Sequence, residues 1–115
     1  MGHVRVKLRI AHPEHPTHAL ELLGSVDPSE PVALVPAGLA RRLNLPRLDP
    51  EAQDPSIDDW RSYAFIEHAG RSSMGSVVVT SDVPEVIIGL STLTGLCLEI
   101  DRRTGRLRKF EPMLL

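Results

Sequence analysis

At 115 residues the chain is long enough for one domain and too short for two ordinary ones. Its apolar content of 42% includes only 3% aromatic residues, so a core must be built from Val, Leu and Ile. Thirteen Lys and Arg against fifteen Asp and Glu leave a net charge of -2, which offers no electrostatic footprint for nucleic acid or an anionic membrane.

No stretch approaches the ~18 consecutive apolar residues that a membrane helix needs, and the alternating N-terminus lacks the apolar run of a signal peptide. Cys97, the only cysteine, lies between Leu96 and Leu98. It reads as a buried, inert thiol with no internal disulfide partner. The expectation is a cytoplasmic protein without membrane or nucleic-acid partners.

Val4, Val6, Leu8 and Ile10 alternate with His3, Arg5, Lys7 and Arg9. That period of two predicts a strand with one buried face and one basic face in water. The polar, Pro-containing stretch from Ala11 to His18 reads as a hairpin connection. Ala19 to Val26, with Leu20, Leu22 and Leu23, is the returning strand. Val32 to Val35 is short, continuously apolar and partly β-branched, which predicts a buried strand. Pro36 suits the first turn of a helix, where its missing N–H costs nothing. Leu39 and Leu43 then share one helical face, and Asn44 or Pro46 ends the element.

Residues 46–59 differ in kind. Pro46, Pro50 and Pro55 punctuate them, and Asp49, Glu51, Asp54, Asp58 and Asp59 make them acidic. They read as a loop or irregular hairpin. Strand signals resume at Tyr63 to Glu67, turn near Gly70 and continue through Val77, Val78 and Val79. Val86 to Ile88 predicts another buried strand. Ser91 is placed to cap a helix of one to two turns, with Gly95 as its stop. Leu96 to Ile100 and Arg106 to Phe110, joined by a turn, form a closing hairpin. Short strands, Pro and Gly at turns and two brief helices predict a mostly β closed barrel or sandwich.

Three segments carry a resemblance. The first is Val26-Asp27-Pro28-Ser29-Glu30 with the apolar strand ending at Pro36; the second is Val86-Ile87-Ile88-Gly89-Leu90 with the helix after it; the third runs from Leu96 to Leu107. Together they resemble the single-domain, retroviral-like (retropepsin-type) aspartic proteases. In that family an Asp-Thr-Gly-Ala loop precedes an apolar strand, and an apolar-apolar-Gly strand leads into a short helix. The resemblance implies a mostly β, retropepsin-like closed barrel with one or two short helices, spanning residues 1–115 as one domain. It further implies a homodimer in which two Asp27 carboxylates, one from each chain, hydrolyse a peptide or protein substrate. Ile87, Ile88 and Gly89 would support the active-site loop, and no metal or organic cofactor is implied.

The active-site loop departs from the family pattern. Pro28 stands where the family has Thr and supplies neither its hydroxyl nor its N–H. Ser29 replaces a Gly that allows close backbone approach, and Glu30 replaces a small apolar residue. The flap position, residues 46 to 66, contains no Gly. Its Trp60 and Tyr63 could line a groove or pin the loop to the barrel. Asp-Pro-Ser also favours an ordinary turn by itself. Two readings therefore stand: an aspartic endopeptidase, and a non-catalytic dimeric peptide-binding or scaffold module.

Other signals are weaker. His12, His15 and His18 are spaced three apart, but Pro13 and Pro16 interrupt them and no cysteine is near. They read as a solvated hairpin tip. His3 and His68 are expected on strands facing solvent. The acidic stretch lacks the spaced ligands and central Gly of an EF-hand loop. The apolar tail, Phe110, Met113, Leu114 and Leu115, would either pair with a second chain or fold onto its own core.

Overall fold

The computed structural model describes residues 4–48, 59–101 and 103–110. Six strands close into a barrel in the order β1-β2-β6-β3-β5-β4, and two more form a separate hairpin, β7-β8. The strands are β1 (Val4–His12), β2 (His15–Val26), β3 (Ala33–Pro36), β4 (Trp60–His68), β5 (Arg71–Thr80), β6 (Ile87–Ile88), β7 (Leu98–Asp101) and β8 (Arg106–Lys109). Two one-to-two-turn helices complete the fold, α1 (Ala37–Arg42) after β3 and α2 (Leu90–Gly95) after β6.

The barrel interior follows from alternation. In β4, Ser62, Ala64 and Ile66 are buried and Arg61 and Tyr63 are exposed; a period of two sends alternate side chains to opposite faces. Leu8, Ile10, Val26, Val35, Ile66, Val77, Val79 and Ile88 meet in one aliphatic core. Each such side chain contributes roughly 1.5–3 kcal/mol when fully buried. The sparse aromatic content costs the core nothing, because β-branched residues suit a pleated, half-buried surface.

The strands of the first hairpin are longer than their sequence suggests. β1 runs to His12 and β2 begins at His15, leaving a tight turn at Pro13 and Glu14. A β-bulge at Ala11/His12 absorbs the prolines, which sit outside the regular ladder. The basic face of β1 does lie outward, with Arg5 paired to Glu85 at 2.8 Å.

The third strand is Ala33–Pro36 rather than Val32–Val35, and Pro36 is the N-cap of α1 rather than its first helical residue. Ala40 and Leu43 carry the buried face, and Asn44 ends the helix at φ 53, the left-handed conformation that Asn tolerates. The β4-β5 turn uses Ala69 and Gly70, both at positive φ, as a two-residue hairpin turn requires.

Two expectations for α2 are corrected. Gly89, not Ser91, stands at the N-cap, without a side-chain cap bond. Gly95 is the last helical residue, and Cys97 takes the positive φ, 56, beyond it. A Cβ at Gly95 would collide with the Ser73 hydroxyl, so glycine is needed there for space rather than for a stop. Cys97 is only half-buried, at a turn, and not the buried thiol its leucine neighbours suggest.

Candidate active site

β2 and β6 run parallel, with Ser25 opposite Ile87 and Val26 opposite Ile88. The ladder continues one step, because the Asp27 N–H donates to the Ile88 carbonyl at 3.0 Å. Asp27 and Gly89 are therefore the first residues beyond adjacent strand ends. Both of these ends sit over the buried core through Val26 and Ile88.

Asp27-Pro28-Ser29-Glu30 forms a β-turn closed by the Glu30 N–H donating to the Asp27 carbonyl at 3.2 Å. Proline favours the second position of such a turn because its φ is preset. Ser29 bonds back twice to one oxygen: its N–H donates to Asp27 Oδ1 at 3.0 Å and its hydroxyl at 2.6 Å. Asp27 is half-buried, whereas Pro28 and Ser29 are exposed.

The turn is clamped from below. Leu90 N–H donates to the Glu30 carbonyl at 2.8 Å, and Ser91 N–H donates to the Pro31 carbonyl at 3.0 Å. These are the first-turn amides of α2 that otherwise need a capping side chain. The loop carbonyls satisfy them instead, and Ser91, already inside the first turn, is not the cap. A Cβ at Gly89 would lie 2.5 Å from the Val32 carbonyl carbon and 2.7 Å from the Glu30 oxygen. Ile87, Ile88 and Gly89 thus lie directly beside the Asp27 turn.

Next to Pro28 opens a groove of about 400 Å³, lined by Leu90, Leu93, Leu98, Ile100 and Phe110 among others. Leu90 is 52% and Phe110 44% exposed. The sequence did not single out Leu90. The only available signal was a leucine immediately after Gly89, where a helix first turn usually favours polar residues. The pair of hydrogen bonds from Ser29 was also missed, although an Asp-x-Ser spacing is the signature of a side-chain-to-backbone turn.

Trp60 and Tyr63 are not brought together. Trp60 packs against the core cluster, with the Arg47 guanidinium 4.8 Å from its ring centroid, and Leu48 N–H donates to the Arg61 carbonyl at 3.1 Å. Trp60 therefore pins the chain entering β4 to the barrel. Tyr63 points to the outer face and is 42% exposed. Residues 49–58, which hold most of the acidic stretch and the centre of the flap position, lie outside the described residues, as do His3 and the tail segment 111–115.

The histidines part company. The His12 and His15 rings are 4.9 Å apart, and His12 Nδ1 accepts the Glu14 N–H at 3.0 Å. His18 Nε2 instead lies 3.3 Å from the Arg42 carbonyl. His68 does not simply face solvent: it is half-buried, with Nδ1 2.7 Å from the Lys7 carbonyl.

No protein-family model matches the sequence, and no curated protein matches it. Solved structures do. The retroviral protease-like domain of Ddi1 from Leishmania major aligns over 95% of this chain and 90% of its own, at TM-score 0.66 and 18% identity. EIAV protease, complexed with the inhibitor HBY-793, aligns over 83% and 88% at TM-score 0.59 and 14% identity. A foamy viral protease-reverse transcriptase, in complex with double-stranded DNA, matches 96% of this chain but only 16% of its own length, at TM-score 0.52 and 19% identity. At these identities the likeness establishes the fold alone: this chain is a mostly β, retroviral protease-like barrel.

Proposed function

We propose that residues 1–115 act as one domain that forms a homodimer and hydrolyses peptide bonds with two Asp27 carboxylates, one from each copy. The observation that carries this reading is the clamped turn. Asp27 is fixed at paired strand ends by Ile88, Glu30 and α2, beside an exposed apolar groove of the kind a second copy would cover.

Two carboxylates at close range cannot both ionise, so they share a proton. The ionised one activates water, and the protonated one polarises the scissile carbonyl. The Ser29 hydroxyl, donating to Asp27 Oδ1, would hold each carboxylate's plane while the proton changes sides. The chemistry calls for no metal or organic cofactor. The net charge of -2 argues against a nucleic-acid partner, and a lone cysteine suits a reducing, cytoplasmic compartment.

The test is digestion of an unbiased peptide library across acid pH by wild type and Asp27→Asn, with sedimentation to measure dimers. Cleavage by wild type that disappears in the variant is the expected result. A second reading has its own support. Pro28 has no N–H with which to brace the two turns, and the Ser29 hydroxyl already occupies Asp27 Oδ1. A dimer that binds peptides but leaves the library intact would replace the protease with a non-catalytic binding module.

A further inference from the structure

The half-buried glutamates among the described residues are matched with arginines, with one exception. Among the described residues the half-buried glutamates are Glu30, Glu67, Glu85 and Glu99. Glu85 pairs with Arg5 at 2.8 Å, Glu99 with Arg108 at 2.8 Å and Glu67 with Arg9 at 3.6 Å. The Glu30 carboxylate has no hydrogen bond or ion pair among the described residues. The unpaired glutamates Glu14 and Glu21 are exposed, where water serves them.

The position of Glu30 is set by its backbone. Its N–H is bonded to Asp27 and its carbonyl to Leu90, so it closes the same tight turn that holds Asp27. The first and last Cα atoms of such a turn lie within about 7 Å. Covering a carboxylate in this place without giving it a cation or a hydrogen bond would be costly. A peptide laid across the turn would cover it.

We propose that Glu30 is a specificity-determining residue that receives a lysine or arginine side chain of the peptide bound beside Asp27. The inference rests on the proposed peptide site at this turn, though not on cleavage there. Arginine is the better match, because its planar guanidinium bonds a carboxylate with two parallel N–H groups. A homodimer presents two Glu30 side chains related by its twofold axis, so cationic residues are favoured on either side of the bound peptide's centre. Glu99 lines the apolar groove next to Pro28, but it is already paired with Arg108, so it does not compete for the cation.

The experiment measures binding of Lys- and Arg-containing peptides and their Gln counterparts to full-length Asp27→Asn protein, so that peptides stay intact. The same pairs are measured with Glu30→Gln and Glu30→Lys added, each checked for folding and dimerisation. Cleavage of the same peptides by wild type runs in parallel. The expected result is a preference for the basic peptide of about tenfold or more, the effect of one charge-assisted hydrogen bond. Glu30→Gln should abolish it, and Glu30→Lys should reverse it toward acidic peptides. Basic-peptide binding that needs Glu30, without cleavage, sinks the protease and keeps this inference. Cleavage or binding with no basic preference, or no peptide binding at all, overturns the inference. So does a Glu30→Gln variant that loses dimers but keeps its peptide preference, since the cation then comes from the second copy.

Discussion

Two clusters of chemically suggestive side chains, the Asp27 turn and the histidine-rich tip of the β1-β2 hairpin, are built in opposite ways. At the tip, His12 touches His15 and accepts a bond from Glu14, so contacts within four residues account for that pair. At the turn, Asp27, Glu30 and Pro31 are bonded to Ile88, Leu90 and Ser91, about sixty residues further along the chain. A local arrangement can vary without disturbing anything else. One that distant segments impose is held by the whole fold, which is what preorganised chemistry requires. The same side-chain types therefore carry different weight according to how far away in sequence their supports lie.

The largest expected effect that tests this contrast comes from Gly89→Ala. The new methyl would press on the Val32 and Glu30 carbonyls, which are backbone and have little room to give. We expect a loss of about 3 kcal/mol or more, read as the shift in urea midpoint at unchanged slope. A shift below a third of that would mean that the clamp is soft.

Ser29→Ala is intermediate. It removes the 2.6 Å hydroxyl bond to Asp27 and leaves the 3.0 Å bond from the Ser29 N–H. About 1 kcal/mol should be lost, as for a typical single hydrogen bond, and thermal unfolding can measure it. The smallest effect is expected at the tip, where His15→Ala should stay within about 0.5 kcal/mol, as exposed substitutions usually do. Zinc titration of the same variant checks the tip's chemistry: an affinity equal to wild type is expected. If His15→Ala cost as much as Gly89→Ala, the contrast between the two regions would collapse.

Much of the barrel was legible because alternation is a local signal. Val4 to Ile10 declare their faces by alternating with charged residues, Val77 to Val79 declare a strand by β-branching, and the Asp27 turn follows from Pro and Ser at favoured positions. What could not be read depended on partners far along the chain. Gly95 looks like a helix stop until Ser73 is seen against it. Ser91 looks like a cap until the helix is seen to start at Leu90, which puts Ser91 inside the first turn with its own amide on the Pro31 carbonyl. Trp60 left two roles open until Arg47 stacked on it. That Glu30 has no arginine partner among the described residues could not be read for the same reason: only the assembled structure shows which glutamates the arginines meet.

The parallel pairing of Ser25 and Val26 with Ile87 and Ile88 has a consequence in time. Contacts between such distant segments form only after a long loop is closed, and topologies rich in them fold slowly. The first hairpin is local, but the seat of Asp27 needs β6, about sixty residues further along. Until β6 pairs, Asp-Pro-Ser is a plain turn without its neighbours. A chain that has not yet made β6 therefore carries Asp27 without the neighbours that hold its turn in place.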